Sequence, residues 1–279
     1  MTEKLQEIID ANITVHTIMA DKYNNEPHFR PENQQKVRAV LENIQKTKQY
    51  KSLLDIGCGT GFIINLSHDL FPEIHGVDVT QAMLDRVDTS HGNITLHNSS
   101  AENLPFHDKY FDLVTAYAFI HHVQDYRKIL QEVFRVLKEN GTCYIDLEPN
   151  KLFWQAMVDL EKKPTLEQDK LSAIVKKEVN SVLHTDDKVL EEFNIDKEVF
   201  NKAEYTKSIL GGIDPLEFEK CCKEIGFASC EISYQWFLGQ GSIMHEQSFQ
   251  AADDINSYLQ NILPLSAHTF KYLRFILTK

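Results

Sequence analysis

Cysteine is scarce: the five residues at positions 58, 143, 221, 222 and 230 form no C-x-x-C pair and no spacing typical of zinc ligands. Cys221 and Cys222 fall in a helical stretch, where neighbours point about 100° apart and chelate one ion poorly. Buried, reduced thiols are the plain reading, and no metal is expected. Basic charge is scarce too, with 29 Lys and Arg against 41 Asp and Glu and a formal charge of -12. Such a balance repels a phosphate polymer unless a local basic face overrides it, which argues against nucleic acid as a partner. No run of about 18 apolar residues exists to span a bilayer. The segment Met1 to Ile13, with Glu3, Glu7 and Asp10, lacks a basic region followed by an apolar one. A cytoplasmic protein without stable membrane insertion is expected. Internal repeats and low-complexity tracts are absent as well. What remains is a 279-residue chain of 42% hydrophobic content, enough for a sizeable core in one large domain or a domain with a modest insertion.

The first fifty residues read as a helical cap. Apolar positions 5, 8, 9, 13 and 18 to 19 recur near the helical period, and Pro31 opens a second helix carrying Val37, Val40, Leu41 and Ile44. The prolines and asparagines between Tyr23 and Pro31 mark a loop. From Ser52 short apolar runs alternate with amphipathic segments. They predict strands near 52–56, 74–78, 93–97, 111–116 and 141–147, and helices near 61–70, 80–88 and 125–138. Asp125 is a candidate N-cap for the last of these. This alternation predicts a doubly wound α/β sheet, with residues 51–150 as the ligand-binding core. Residues 151–212 are charged and helically periodic with no strand run, and form an expected helical insertion over the site, a substrate lid. Residues 213–279 return to the sheet, with a helix near 214–225, strands near 228–235 and 270–277, and a less legible stretch from 239 to 264.

The segment Leu53-Leu-Asp55-Ile-Gly57-Cys58-Gly59-Thr-Gly61 is an apolar strand running into a glycine-rich turn that opens a helix. Glycines let the backbone pass close under a ligand, and a helix N-terminus offers unpaired N–H groups. This predicts a nucleotide-like cofactor. A dinucleotide fold places a third glycine at the sixth position of G-x-G-x-x-G; here that place is Phe62, which disfavours NAD and a nucleotide-dependent oxidoreductase. Asp78 ends the next apolar strand, where a carboxylate can accept from two ribose hydroxyls.

These residues resemble the class I S-adenosylmethionine-dependent methyltransferases, in their small-molecule branch. Asp55 to Gly61 fits the first cofactor motif, Ala101-Glu-Asn-Leu-Pro-Phe and Tyr110-Phe-Asp-Leu-Val fit the segment around the fourth strand, and Ile129 to Gly141 fits the helix entering the fifth. The resemblance covers about residues 50 to 148 and implies a Rossmann-like, seven-stranded, mostly parallel sheet whose last strand is antiparallel. It implies S-adenosylmethionine as cofactor and S-adenosylhomocysteine as product. Gly57, Gly59 and Gly61, with Cys58 between them, would lie against the amino-acid portion and Asp55 would help hold its ammonium. Asp78 would take the ribose, Val79 and Met83 would border the adenine, and Ala101 would offer its N–H to a ring nitrogen, with Glu102 and Tyr117 nearby. The family often has an acidic residue just before Ala101; this chain has Ser100, a weaker acceptor without the charge. Tyr23 and Arg30 would approach the cofactor's carboxylate, or else mark only a proline-held hinge.

The implied reaction is direct methyl transfer to oxygen, nitrogen or carbon of a small-molecule acceptor by a monomer or homodimer. It needs alignment above all, which supplies up to roughly 7 to 11 kcal/mol in the best-oriented cases. Candidate catalytic groups stand where the fourth and fifth strands end. His122 and His121 are possible bases near neutral pH, or packing and backbone-orienting residues, and Glu148 can orient an acceptor or fix a loop. Adjacent histidines would need further ligands to hold a metal, and the sequence makes none evident. Phe153, Trp154, Phe193, Phe200, Tyr234 and Trp236 can wall an acceptor pocket or fill core; His16 and His245 receive no role. The alternative is an S-adenosylmethionine-binding protein without transferase activity, a sensor or assembly partner.

Overall fold

The computed structural model describes residues 2–164, 167 and 171–279. Helix α1 (Glu3–Met19) starts where the Thr2 hydroxyl accepts from the Leu5 amide, and α2 (Pro31–Lys48) opens on its proline. The alternating part follows as β1 (Ser52–Ile56), α3 (Phe62–Ser67), β2 (Glu73–Asp78), α4 (Gln81–Leu84), β3 (Ile94–Asn98), β4 (Phe111–Tyr117), α5 (Tyr126–Val136) and β5 (Leu137–Pro149). The insertion holds α6 (Lys151–Glu161), α7 (Ala173–Leu183), α8 (Thr185–Phe193), α9 (Lys197–Ala203) and a π-helical turn, Tyr205–Ile209. The chain ends with α10 (Pro215–Ile225), β6 (Ser229–Phe237), α11 (Gln240–Glu246), α12 (Phe249–Asn261) and β7 (Phe270–Thr278).

The seven strands form one sheet in the order β3-β2-β1-β4-β5-β7-β6, with β7 antiparallel to both β5 and β6. Every residue of β1 is buried because helices cover both faces. Leu53 and Leu113 pack with Val37 and Leu41 of α2 and with Ile63 and Ile64 of α3. Their neighbours Leu54 and Val114 face the other way, onto Ile129 and Val133 of α5 and Phe218 of α10. Asp125 caps α5 as expected, accepting from the Arg127 amide at 3.0 Å. The cysteines are free, four buried and Cys230 half-buried. Among the described residues no helix is long and apolar enough to cross a membrane.

Several bounds differ from the sequence expectation. Helix α4 is a single turn rather than residues 80–88, and β5 begins at Leu137, ahead of Gly141, because Leu137 already pairs with Phe111. The stretch 239–264, the less legible one in the sequence, contains two helices, α11 and α12. Most consequential is the place of α1. Its buried Ala11, Val15 and Met19 join Val189, Ile195, Phe200 and Ala203 of the insertion in one apolar cluster, and Glu7 pairs with Lys202 at 3.0 Å. N-terminal cap and insertion are therefore one helical body above the carboxyl edge of the sheet.

Candidate functional site

The glycine-rich turn leaves β1 with Gly57, Gly59 and Gly61 all at positive φ. Gly57, at φ +63°, has no room for a side chain: a Cβ there would fall inside the ring of Phe119. Gly61 is a packing glycine, since its Cβ would stand 2.9 Å from Val87 Cγ1. Asp78, at the end of β2, fastens the turn by accepting from the Gly59 amide at 2.9 Å and from the Thr80 amide at 2.8 Å. A carboxylate has about four lone-pair sites, so acceptor capacity remains for a ligand.

A cavity of about 80 Å³ lies over this turn, and among its walls are Tyr23, Gly57, Gly59, Asp78, Val79, Met83, Ser100, Ala101 and Glu102. Backbone approach, carboxylate and apolar floor in one place suit an adenosyl ligand. Five of the implied cofactor contacts lie outside this wall. Asp55 is buried beneath the turn, accepting from Thr115 Oγ1 at 2.7 Å; burial pushes its carboxyl up to about 7, against the Thr115 hydrogen bond and with help from Asp78. Cys58 is buried under the turn, and burial followed by the charges of Asp78 and Asp55 pushes its thiol up. Gly61 packs on Val87, as above. Tyr117 accepts from Asn33 Nδ2 at 2.7 Å and tilts against Phe62. Arg30 faces a second, larger cavity instead.

The roof of the small cavity comes from α1, through Leu5, Ile8, Asn12 and His16, and from the loop carrying Tyr23. The Tyr23 ring stands over Gly59, 3.8 Å from where its Cβ would be, and the Thr60 hydroxyl donates to Asn24 Oδ1 at 2.6 Å. Small-molecule sites commonly enclose roughly 300 to 1,000 Å³. The space under this roof falls well short of that, so admitting a nucleoside-sized ligand requires α1 and its loop to lift.

At the ends of β4 and β5 the backbone turns sharply, with Ala118 at φ +51° and Leu147 at φ +61°. Glu148, fully buried, gathers this edge: its carboxylate accepts from the amides of Phe119, Ile120 and His121 at 2.8 to 3.0 Å and from His121 Nδ1 at 2.9 Å. It lines neither cavity itself and holds the backbone that carries two of their wall residues, Phe119 and His121. His121 Nδ1 is held by Glu148, and its Nε2 lies 3.6 Å from Glu204 Oε2. His122 Nδ1 donates to the Ala203 carbonyl at 3.0 Å; burial, then His121, holds its pKa well below the usual range against the pull of Glu204, and the ring is neutral.

Glu204, at the end of α9, carries no motif and was not legible in the sequence. Burial pushes its carboxyl up, but the Lys207 ammonium against it holds it below the ordinary range, so it is ionised inside the protein. His121, His122, Glu204 and Lys207 all line the larger cavity, of about 450 Å³. Phe153, Trp154, Phe193, Phe200 and Trp236 line it as well, whereas Tyr234 packs on Phe270. His16 and His245, given no role above, also face it. His16, Tyr23, Ala118 and His122 belong to both cavities and form the partition between them.

Residues 54–145 match the family model described as "Methyltransferase domain". Over 95 residues the chain is 38% identical to an uncharacterized methyltransferase, YcgJ, of Bacillus subtilis, covering 32% of this chain and 37% of that one. Over 130 residues it is 32% identical to the demethylmenaquinone methyltransferase of Listeria welshimeri, covering 43% of this chain and 55% of the relative. The match thus spans about a third to a half of these curated relatives. A solved phosphoethanolamine N-methyltransferase 2 of Haemonchus contortus, in complex with phosphomonomethylethanolamine and S-adenosylhomocysteine, superimposes over 100% of this chain and 60% of its own with a TM-score of 0.57 at 18% identity. A SAM-dependent methyltransferase of Archaeoglobus fulgidus superimposes over 88% of this chain and 94% of its own, with a TM-score of 0.51 at 18% identity. These likenesses extend the fold beyond the matched segment. With the glycine-rich turn and Asp78 in the arrangement described, residues 54–145 form a methyltransferase domain within the fold of S-adenosylmethionine-dependent methyltransferases.

Proposed function

We propose that this protein moves a methyl group from S-adenosylmethionine to a small molecule held in the larger cavity. One observation carries the proposal: the cofactor-side cavity and the larger one share a partition of four residues, His16, Tyr23, Ala118 and His122, so a donor on one side and an acceptor on the other can meet there. A volume of about 450 Å³ lies within the roughly 300 to 1,000 Å³ of small-molecule sites. The net charge of -12 speaks against a phosphate polymer as acceptor.

S-adenosylmethionine, when bound, supplies a methyl already activated by its sulfonium centre. The chain's own residues have the tasks of holding, aligning and excluding water. Asp78 and the backbone at Gly57 and Gly59 hold the cofactor, with Val79, Met83, Ser100, Ala101 and Glu102 around its base. Tyr23 closes over the turn. The insertion acts as the lid of the acceptor site through α8 and α9, which give Val189, Phe193 and Phe200 to its wall. Glu148 is a positioning residue that sets His121 and the backbone of 119–121; the His122 ring in the partition and the His121 ring beside it can influence an acceptor's proton.

The test is incubation of the purified protein with methyl-labelled S-adenosylmethionine and fractionated metabolite pools. A compound gaining one labelled methyl is expected. Tight cofactor binding with no labelled product from any pool would replace this function by that of a cofactor-binding protein without transferase activity.

A further inference from the structure

We propose that His121, His122 and Glu204 form a binding site for a divalent transition-metal ion of the zinc type, at the partition between the two cavities. Each of the three offers a ligand atom, and these atoms lie within 4.8 Å of one another. Metal–ligand bonds of about 2.0 to 2.1 Å place tetrahedral ligand atoms roughly 3.4 Å apart. His121 Nε2 and Glu204 Oε2, at 3.6 Å, are already at that spacing, and His122, its Nδ1 given to Ala203, has Nε2 left to bind. Two histidines and one glutamate with an open fourth position is a ligand set of catalytic zinc sites. Adjacent histidines lacked a further ligand in the sequence; the fold brings one from 82 positions downstream of His122.

The surroundings favour a cation at this point. His121 Nδ1 donates to the buried Glu148 carboxylate and His122 Nδ1 to the Ala203 carbonyl, the outer contacts that orient metal-binding imidazoles. His121 Nε2 and the buried Glu204 Oε2 face each other across 3.6 Å, with room for a cation to join them. Glu204 Oε2 receives no well-formed hydrogen bond and has only the Lys207 ammonium against it. That ammonium ends a flexible stem on the π-helical turn and also lies 5.6 Å from the Phe200 ring centre, where it can remain when a dication takes the carboxylate. Resting on the reading that the acceptor occupies the larger cavity, the fourth position would take a hydroxyl or thiol of that acceptor. Its proton would pass to solvent as coordination lowers its pKa.

The experiment uses the full-length protein after chelator treatment, titrated with Zn²⁺ by calorimetry and with Co²⁺ by visible absorption. The expected result is one equivalent bound, with the intense bands of tetrahedral cobalt. Glu204→Gln should weaken it at least tenfold to a hundredfold, His121→Asn should abolish the cobalt bands, and Lys207→Met should tighten binding by removing the competing cation; circular dichroism checks that each variant is folded. Equal binding by wild type and a folded Glu204→Gln, or cobalt spectra with no tetrahedral component, would overturn the proposal. Metal stoichiometry is read without any acceptor, so the site stands or falls independently of the labelled-methyl screen.

Discussion

The Thr60 hydroxyl donates a 2.6 Å hydrogen bond to Asn24 Oδ1, tying the glycine-rich turn to the loop that lays Tyr23 over Gly59. The wall of the cofactor cavity is thereby latched to its roof. Such a bond contributes about 1 kcal/mol net, which corresponds to roughly a fivefold change in an equilibrium. Asn24→Ala should therefore release S-adenosylmethionine about fivefold faster, read by stopped-flow displacement. An unchanged dissociation rate would mean that the loop does not close over the ligand.

The roof also has to open. With about 80 Å³ beneath α1 and its loop, cofactor entry follows displacement of a helix that is packed on the insertion through Val15, Met19, Val189 and Phe200. The observed binding rate should thus level off at high cofactor concentration, at the rate of opening. A strictly linear dependence would contradict a closed resting roof.

Glu148 predicts a stability effect of its own. Three backbone amides and one imidazole converge on this buried carboxylate, so Glu148→Ala leaves buried donors unsatisfied. A loss of about 3 to 5 kcal/mol is expected from urea unfolding. A loss below about 1 kcal/mol would show that solvent reaches this edge.

Asp55 gives a pH dependence. Burial holds its carboxyl up to about 7, well above an ordinary aspartate. A raised folded pKa penalises ionisation, fully so above about 7 and not at all below the unfolded value near 3.9, so this carboxyl costs the fold stability as pH rises from about 4 to 7. Asp55→Asn should therefore stabilise the protein at pH 8 relative to pH 5, read by urea unfolding at both values; an equal effect at the two would contradict a buried, raised carboxyl.

Much of the fold was legible because local pattern and long-range structure agree from Ser52 to Pro149, where buried strands read as apolar runs and Asp125 signals its helix directly. The cofactor side was legible for the same reason, since Gly57, Gly59 and Asp78 lie on one strand-turn-helix unit and its neighbour. The acceptor side was not. Glu204 and Lys207 sit in an insertion whose sequence shows only helical periodicity, and their meeting with His121 and His122 depends on α9 packing against α1, a contact between residues nearly 200 positions apart. Asp55 and Tyr117 fit a sequence motif yet lie behind the cavity wall, because strand alternation points them toward Thr115 and Asn33.

Calorimetric titration of S-adenosylmethionine into the wild type and Asp78→Ala tests the central assignment most directly. Hydrogen bonds to a charged group are worth about 1.5 to 3 kcal/mol each. Two such bonds to the ribose would give wild-type binding at one site and a loss of at least about a hundredfold in the variant. Equal affinities, or no binding by the wild type, would contradict it.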